Sequence, residues 1–140
     1  MLDFFGHLAA WGPVFLRLGA GITLVVHGHP KLFGPQPGPK GFAQYLKSLG
    51  FAGPETMAYV VAIAEFVGGI CLILGFLTRL AALVIAIEFL VIIVKIKWSK
   101  GFLMSGGGWE WDWALLTMAI SLLLTGPGRL ALDNVIHTGL

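Results

Sequence analysis

The sequence predicts an all-α membrane protein: a bundle of four transmembrane helices with a short amphipathic helix in the first long loop. Three observations carry this expectation. Hydrophobic residues make up 57% of the 140-residue chain and charged residues only 11%, less than half the roughly 25% with which soluble domains face water. Mean hydropathy is +0.88. The nine Lys and Arg and seven Asp and Glu residues cluster, leaving apolar stretches long enough to cross a bilayer. One domain, residues 1–140, is expected, with no room for a second soluble module.

The first span is expected over residues 13–29. Pro13 suits a first helical position, where its missing N–H costs nothing, and Arg17 lies one turn in. Gly21 and Gly28 mark a face where a second backbone can come close. The start Met1-Leu-Asp-Phe-Phe-Gly-His is acidic and aromatic, unlike a cleaved signal, so this span is expected to be retained. The loop that follows begins rich in Gly and Pro. Within 41–50, Phe42, Tyr45, Leu46 and Leu49 then fall at i, i+3, i+4 and i+7. That is one apolar face, suited to lying on the membrane or to capping the bundle.

The second span, over 56–77, has Glu65 as its only charged residue. Gly68-Gly69, with Ala58, Ala62 and Gly75, suits close helix packing. Gly75-Phe-Leu-Thr-Arg79 reads as a tight turn into a third span over 80–98, which contains Glu88 and ends in Lys95, Lys97 and Trp98. Those lysines can snorkel to headgroups. The fourth span, over 112–126, follows Trp109, Trp111 and Trp113, an expected aromatic belt, and is stopped by Gly126-Pro-Gly128. With four spans the two long loops share one side. Lys31, Lys40, Lys47, Lys95, Lys97 and Lys100 there outnumber Arg17, Arg79 and Arg129 opposite, which favours cytoplasmic long loops.

A net charge of +2, with lysines beside apolar segments, points to the lipid bilayer as partner and away from nucleic acid. Cys71 is the only cysteine, so neither an internal disulfide nor a CxxC relay is available. No intrinsic cofactor is evident, and redox chemistry would need a bound cofactor or a partner.

Glu65 and Glu88 lead the candidate functional residues. Each lies deep in an apolar segment, and at about 1.5 Å per residue both fall at middle depth, where they could meet. An intramembrane carboxyl is costly and usually faces a cavity, a partner or the bundle interior. Desolvation lets it hold a proton near neutrality, as proton exchange with a quinone head would need. The competing reading is a protonated carboxyl bonded to a neighbouring helix. Arg17 is the expected counter-charge, with a snorkelling or purely structural role as the alternative. His27, His29 and Lys31 form His-Gly-His-Pro-Lys at the end of the first span, more suited to a polar mouth than to a metal or haem, since further ligands are lacking. Glu110 could close that mouth by pairing with His27 or Lys31, or could simply lie among headgroups. No metal site, phosphate cradle or catalytic triad is expected.

These residues sit in stretches that resemble the DoxX family of small bacterial membrane proteins, which includes the DoxD-type subunit of thiosulfate:quinone oxidoreductase. The stretches are Leu16-Arg-Leu-Gly-Ala-Gly21 with His27-Gly and Lys31-Leu-Phe-Gly34; Gly41-Phe with Leu49-Gly; Ala64-Glu-Phe-Val-Gly-Gly69 with Leu74-Gly-Phe-Leu-Thr-Arg79; and Gly126-Pro-Gly-Arg-Leu-Ala-Leu-Asp133. The resemblance implies a four-helix architecture in the bacterial inner (cytoplasmic) membrane. It places Arg17, His27, Lys31, Glu65, Arg79 and Glu110 at the family's polar positions, while Glu88, Lys95 and Lys97 are less typical of it.

The leading expectation is a quinone-linked redox protein, or a membrane subunit of a redox complex, working with a soluble or peripheral electron donor. Glu65 and Arg17 would be catalytic; His27, Lys31, Arg79, Glu88 and Glu110 would bind ligand. Self-association is compatible with this reading. The alternative is a non-enzymatic binder of lipid or small hydrophobes, or an assembly factor. A transporter is disfavoured, because no inverted repeat or broken helix is visible.

Overall fold

The computed structural model describes residues 2–35 and 38–140. Helix α1 (Leu2–Leu8) passes through a 3-10 turn (Ala9–Trp11) into α2 (Gly12–Phe33). Then come α3 (Gly38–Ser48), α4 (Pro54–Leu74) and α5 (Thr78–Val91), which continues as a π-helical segment, Ile92–Lys97. After two 3-10 turns follow α6 (Glu110–Thr125) and a short α7 (Leu132–Ile136). Among the described residues there is no strand.

Two helical runs, Phe4–Phe33 and Pro54–Leu74, are long and apolar enough to cross a membrane. The segments expected as third and fourth spans are helical too, but α5 has 14 residues before the π-segment and α6 has 16. The first span outruns its expected end. Pro30 is absorbed in the last turn, where Lys31 meets the helix's negative end and the Gly34 N–H donates to the Pro30 carbonyl at 3.0 Å. Helix therefore continues through Lys31 and puts it on the same face as His27, four residues earlier.

Helices α2, α4, α5 and α6 share one core, built from Ala20 and Leu24, Leu72, Ala82 and Ile85, and Leu116, Ala119 and Leu122. Small residues let the helices approach. A Cβ on Gly21 would stand 2.8 Å from the Gly69 carbonyl, and one on Gly69 would stand 2.8 Å from the Gly21 carbonyl. Gly28 meets α4 just as closely, at Glu65 and Phe66. The outer faces carry bare apolar side chains such as Phe15 and Leu124, each 72% exposed, as a lipid solvent permits. Helix α3 packs on α4 through Ala43, Leu46 and Ala58, with Phe42 and Phe51 alongside. Of its expected apolar face, Tyr45 and Leu49 stay exposed.

The α4–α5 turn closes one end of the molecule. Gly75, at φ +66°, donates to the Leu72 carbonyl, and Phe76 donates to that of Cys71 at 2.9 Å. This paired closure needs a left-handed residue. The free N–H groups of Leu77 and Thr78 at the head of α5 donate to the Asp133 carboxylate at 2.7 and 2.9 Å. Burial opposes the charge on Asp133, but bonds from Thr78, Thr138 and Leu77 outweigh it and hold the pKa below the usual aspartate value.

Candidate functional site

The tight turn holds α4 and α5 together at one end, and a cavity of about 770 Å³ lies at the other. On α5, Val84, Ile87, Glu88 and Val91 line it, at i, i+3, i+4 and i+7, so one helical face forms the wall. On α4, Met57, Val60, Val61, Ala64 and Glu65 form the facing wall. Met57, Val60, Val84, Ile87 and Val91 are also exposed, so the cavity opens sideways between α4 and α5. Helix α3 adds Phe42, Tyr45 and Leu46, α6 adds Trp111, Asp112 and Leu115, and α2 adds His27 and Lys31.

An ion pair stands in this apolar surround. Lys31 Nζ donates to both oxygens of buried Glu65, at 2.7 and 2.6 Å. Gly28 makes the pair possible by letting α2 lie against α4 at the level of Glu65. The Phe42 ring of α3 covers the ammonium, 5.0 Å from Nζ to the ring centroid, a cation–π contact. Glu88 lies within electrostatic reach of Glu65 and Lys31. Its two carboxyl oxygens are buried and have no hydrogen-bond partner among the described residues. A second pair, Lys97 Nζ to Asp112 Oδ2 at 2.7 Å, stands at the rim. The π-helical segment carries Lys97 and Ile96 onto the cavity wall while Ile93 stays in the core.

The structure thus brings together four of the seven candidate residues: His27, Lys31, Glu65 and Glu88. The expected Arg17–Glu65 pairing is corrected. Arg17 sits about 21 Å down α2 from Lys31 at the usual helical rise, and its Nη2 donates to the Arg129 and Leu130 carbonyls at 3.2 and 3.0 Å. Middle depth on α4 is simply too far from the first turns of α2. Arg79 likewise stands outside the cavity. Its Nη1 donates to the Leu123 carbonyl at 2.6 Å, fastening the C-terminal end of α6. Of the two readings of Glu110, the pairing with His27 or Lys31 is not formed: its carboxylate accepts the Met104 N–H at 3.0 Å. His27 and His29 are both exposed, and His29 packs with Phe33 and Phe66. Of the tryptophans expected as a belt, Trp111 and Trp113 are exposed, and Trp109 stacks on Trp98 and meets Phe102 edge-on.

Sequence reasoning missed Asp112, Phe42 and Tyr45 as cavity residues. For Asp112 the signal in the sequence was an acid in the first turn of an apolar helix; its burial shows only in the fold.

The DoxX family model matches residues 12–98. The protein named "Putative oxidoreductase CatD" from Bacillus subtilis is 35% identical over 91% of this chain and 89% of its own. An uncharacterized membrane protein of Mycobacterium tuberculosis, Rv3486, is 31% identical over 91% and 84%. The inner membrane protein YphA of Escherichia coli is 30% identical over 87% and 90%. No solved structure matches the chain. The family match covers α2 through the π-helical end of α5, and with it the Lys31–Glu65 pair and Glu88: the chain belongs to the DoxX family of membrane proteins.

Proposed function

We propose that this protein crosses the bacterial cytoplasmic membrane four times and binds a quinone, as the membrane subunit of a redox complex with a soluble or peripheral electron donor. The observation that carries the reading is the cavity: about 770 Å³, apolar on most of its wall, open sideways, and holding a half-buried ion pair and an unpartnered carboxyl. Its size lies within the roughly 300–1,000 Å³ typical of small-ligand sites. An opening lined by Val60 and Ile87 admits a tail from the lipid and keeps water out. The third span is α5 with its π-helical continuation, and the fourth is α6.

The residues present fit a carbonyl-bearing head. Lys31 uses its Nζ on Glu65 and still has donor capacity, since an ammonium carries three N–H groups. The orphaned oxygens of Glu88 need a polar partner. A bound quinone would supply the electron-accepting chemistry; the chain's own side chains orient the head, exclude water and hold a proton at a carboxyl oxygen. In this reading Arg17 acts on the fold and takes no part at the head.

The test is to purify the full chain in mild detergent and measure extracted small molecules by mass spectrometry, comparing wild type with Glu65→Gln. A stoichiometric quinone in wild type that is lost in the variant supports the reading. Bulk lipid alone in both samples overturns it, in favour of a non-enzymatic lipid-binding or assembly role, which the sideways opening would equally serve.

A further inference from the structure

The carboxyl groups of Glu65 and Glu88 share one cavity but are not equivalent. Glu65 has committed both oxygens to Lys31. Glu88 has committed neither, although both oxygens are buried. A buried polar group without a partner costs stability, and the charged groups nearest to Glu88, Lys31 and Glu65, are already bonded to each other. Its neighbours along the wall, Val84, Ile87 and Val91, are apolar. A position that costs the fold and faces a cavity is one where a ligand completes the hydrogen bonding.

We propose that Glu88 is the residue that contacts the polar head of the bound amphiphile, exchanging a hydrogen bond with a carbonyl or hydroxyl oxygen, and that Glu65 is a positioning residue that holds Lys31 at the wall. This rests on the cavity being the ligand site argued above. A carboxyl donates when it carries its proton and accepts when it does not. Glu88 can therefore serve both a carbonyl head and its hydroxyl form without rearrangement. The tail leaves between α4 and α5 past Val60 and Ile87, both exposed. Glu65 acts only through the ammonium it fixes.

Binding to the full-length protein in detergent is read by quenching of tryptophan fluorescence, because Trp111 lines the cavity. The probes are decylubiquinone and, as a tail-only competitor, decylbenzene. Glu88→Leu should weaken decylubiquinone about tenfold, the equivalent of one lost hydrogen bond, and leave decylbenzene unchanged. Its melting temperature should equal or exceed that of wild type, since an unpartnered buried carboxyl has been removed. Glu88→Gln, which still donates and accepts, should bind within about threefold of wild type. Glu65→Gln should weaken decylubiquinone selectively, and Glu65→Asp, which keeps the charge that holds Lys31, should recover most of the loss.

Undiminished decylubiquinone binding by Glu88→Leu overturns the assignment while leaving the site standing. So does a fall in melting temperature with both probes weakened together, the mark of a structural role. If wild type fails to bind decylubiquinone at all, the site reading and this assignment fall together.

Discussion

Lys31 and Glu65 are the most consequential pair of side chains in the molecule. Glu65 is 2% exposed, and a charge so placed is tolerable only while its partner stays within reach. Lys31→Met should therefore destabilise the protein by about 3 kcal/mol by leaving the carboxylate unpaired. The double variant Lys31→Met/Glu65→Leu should regain most of that loss, because two apolar residues restore a consistent interior. Thermal unfolding of the two single variants and the double variant forms a cycle that isolates the coupling. Equal losses in single and double variants would mean that the pair is not what matters. Asp133 offers a second residue-scale test, at the opposite end. Its pKa is held below the ordinary aspartate value by the N–H groups it caps and by Thr138. The resulting stability is present above the unfolded value of about 3.9 and is lost as pH falls through the lower folded value. Asp133→Ala should thus cost about 2 kcal/mol at pH 7, with the gap to wild type narrowing in acid. A constant gap down to pH 3 would refute the linkage.

At the scale of elements, the approach of α2 to α4 sets the site. Gly28 allows it where it matters: a Cβ there would fall 2.6 Å from the Phe66 backbone nitrogen and 3.0 Å from the Glu65 Cβ. Those atoms belong to helix backbone and its first carbon, so they cannot swing aside. Gly28→Ala should push the helices apart, cost about 1–3 kcal/mol, and, on the proposed quinone reading, weaken quinone retention along with stability. Gly19→Ala, where a Cβ would meet only the flexible end of Met118 at 3.5 Å, should be nearly silent. Unfolding and quinone content of the two variants, measured side by side, decide the point. The sequence made this packing readable, since Gly21, Gly28 and Gly69 recur where apolar helices need small residues. It also marked Glu65, Glu88 and Lys31, because ionisable groups stand out in an apolar segment. Partners were harder to read. Arg17 seemed a natural counter-charge for Glu65, yet axial distance along α2 decides the matter, and only the continuation of helix through Pro30 brings Lys31 to the right level. The π-helical turn that aims Lys97 at Asp112 has no signature in composition or apolar spacing, so that pair emerged only from the fold.

At the scale of the whole molecule, charge is distributed by type. Arg17, Arg79 and Arg129 gather at the end that holds the tight turn and α7, whereas Lys31 and Lys97 flank the cavity at the other. If the lysine end lies in the cytoplasm, as the positive-inside rule favours, the turn and both ends of the chain face outward. The single cysteine makes this measurable on a Cys71→Ala background. Gly6 and Ser105 are exposed, and a side chain at Gly6 would meet nothing within 4 Å. A membrane-impermeant maleimide applied to intact spheroplasts should label Gly6→Cys and leave Ser105→Cys untouched until the membrane is permeabilised. Three proposed spans separate those two sites, so opposite behaviour follows if α2, α4 and α5 with its continuation all cross. His137→Cys then tests α6 alone. Its 16 residues span about 24 Å, short of the roughly 30 Å hydrocarbon core, so it must be helped by local thinning or by its flanking tryptophans. Labelling of His137→Cys like Gly6→Cys means that α6 crosses; labelling like Ser105→Cys means that it does not, and overturns the placement of α7 beside the tight turn, where Asp133 caps α5.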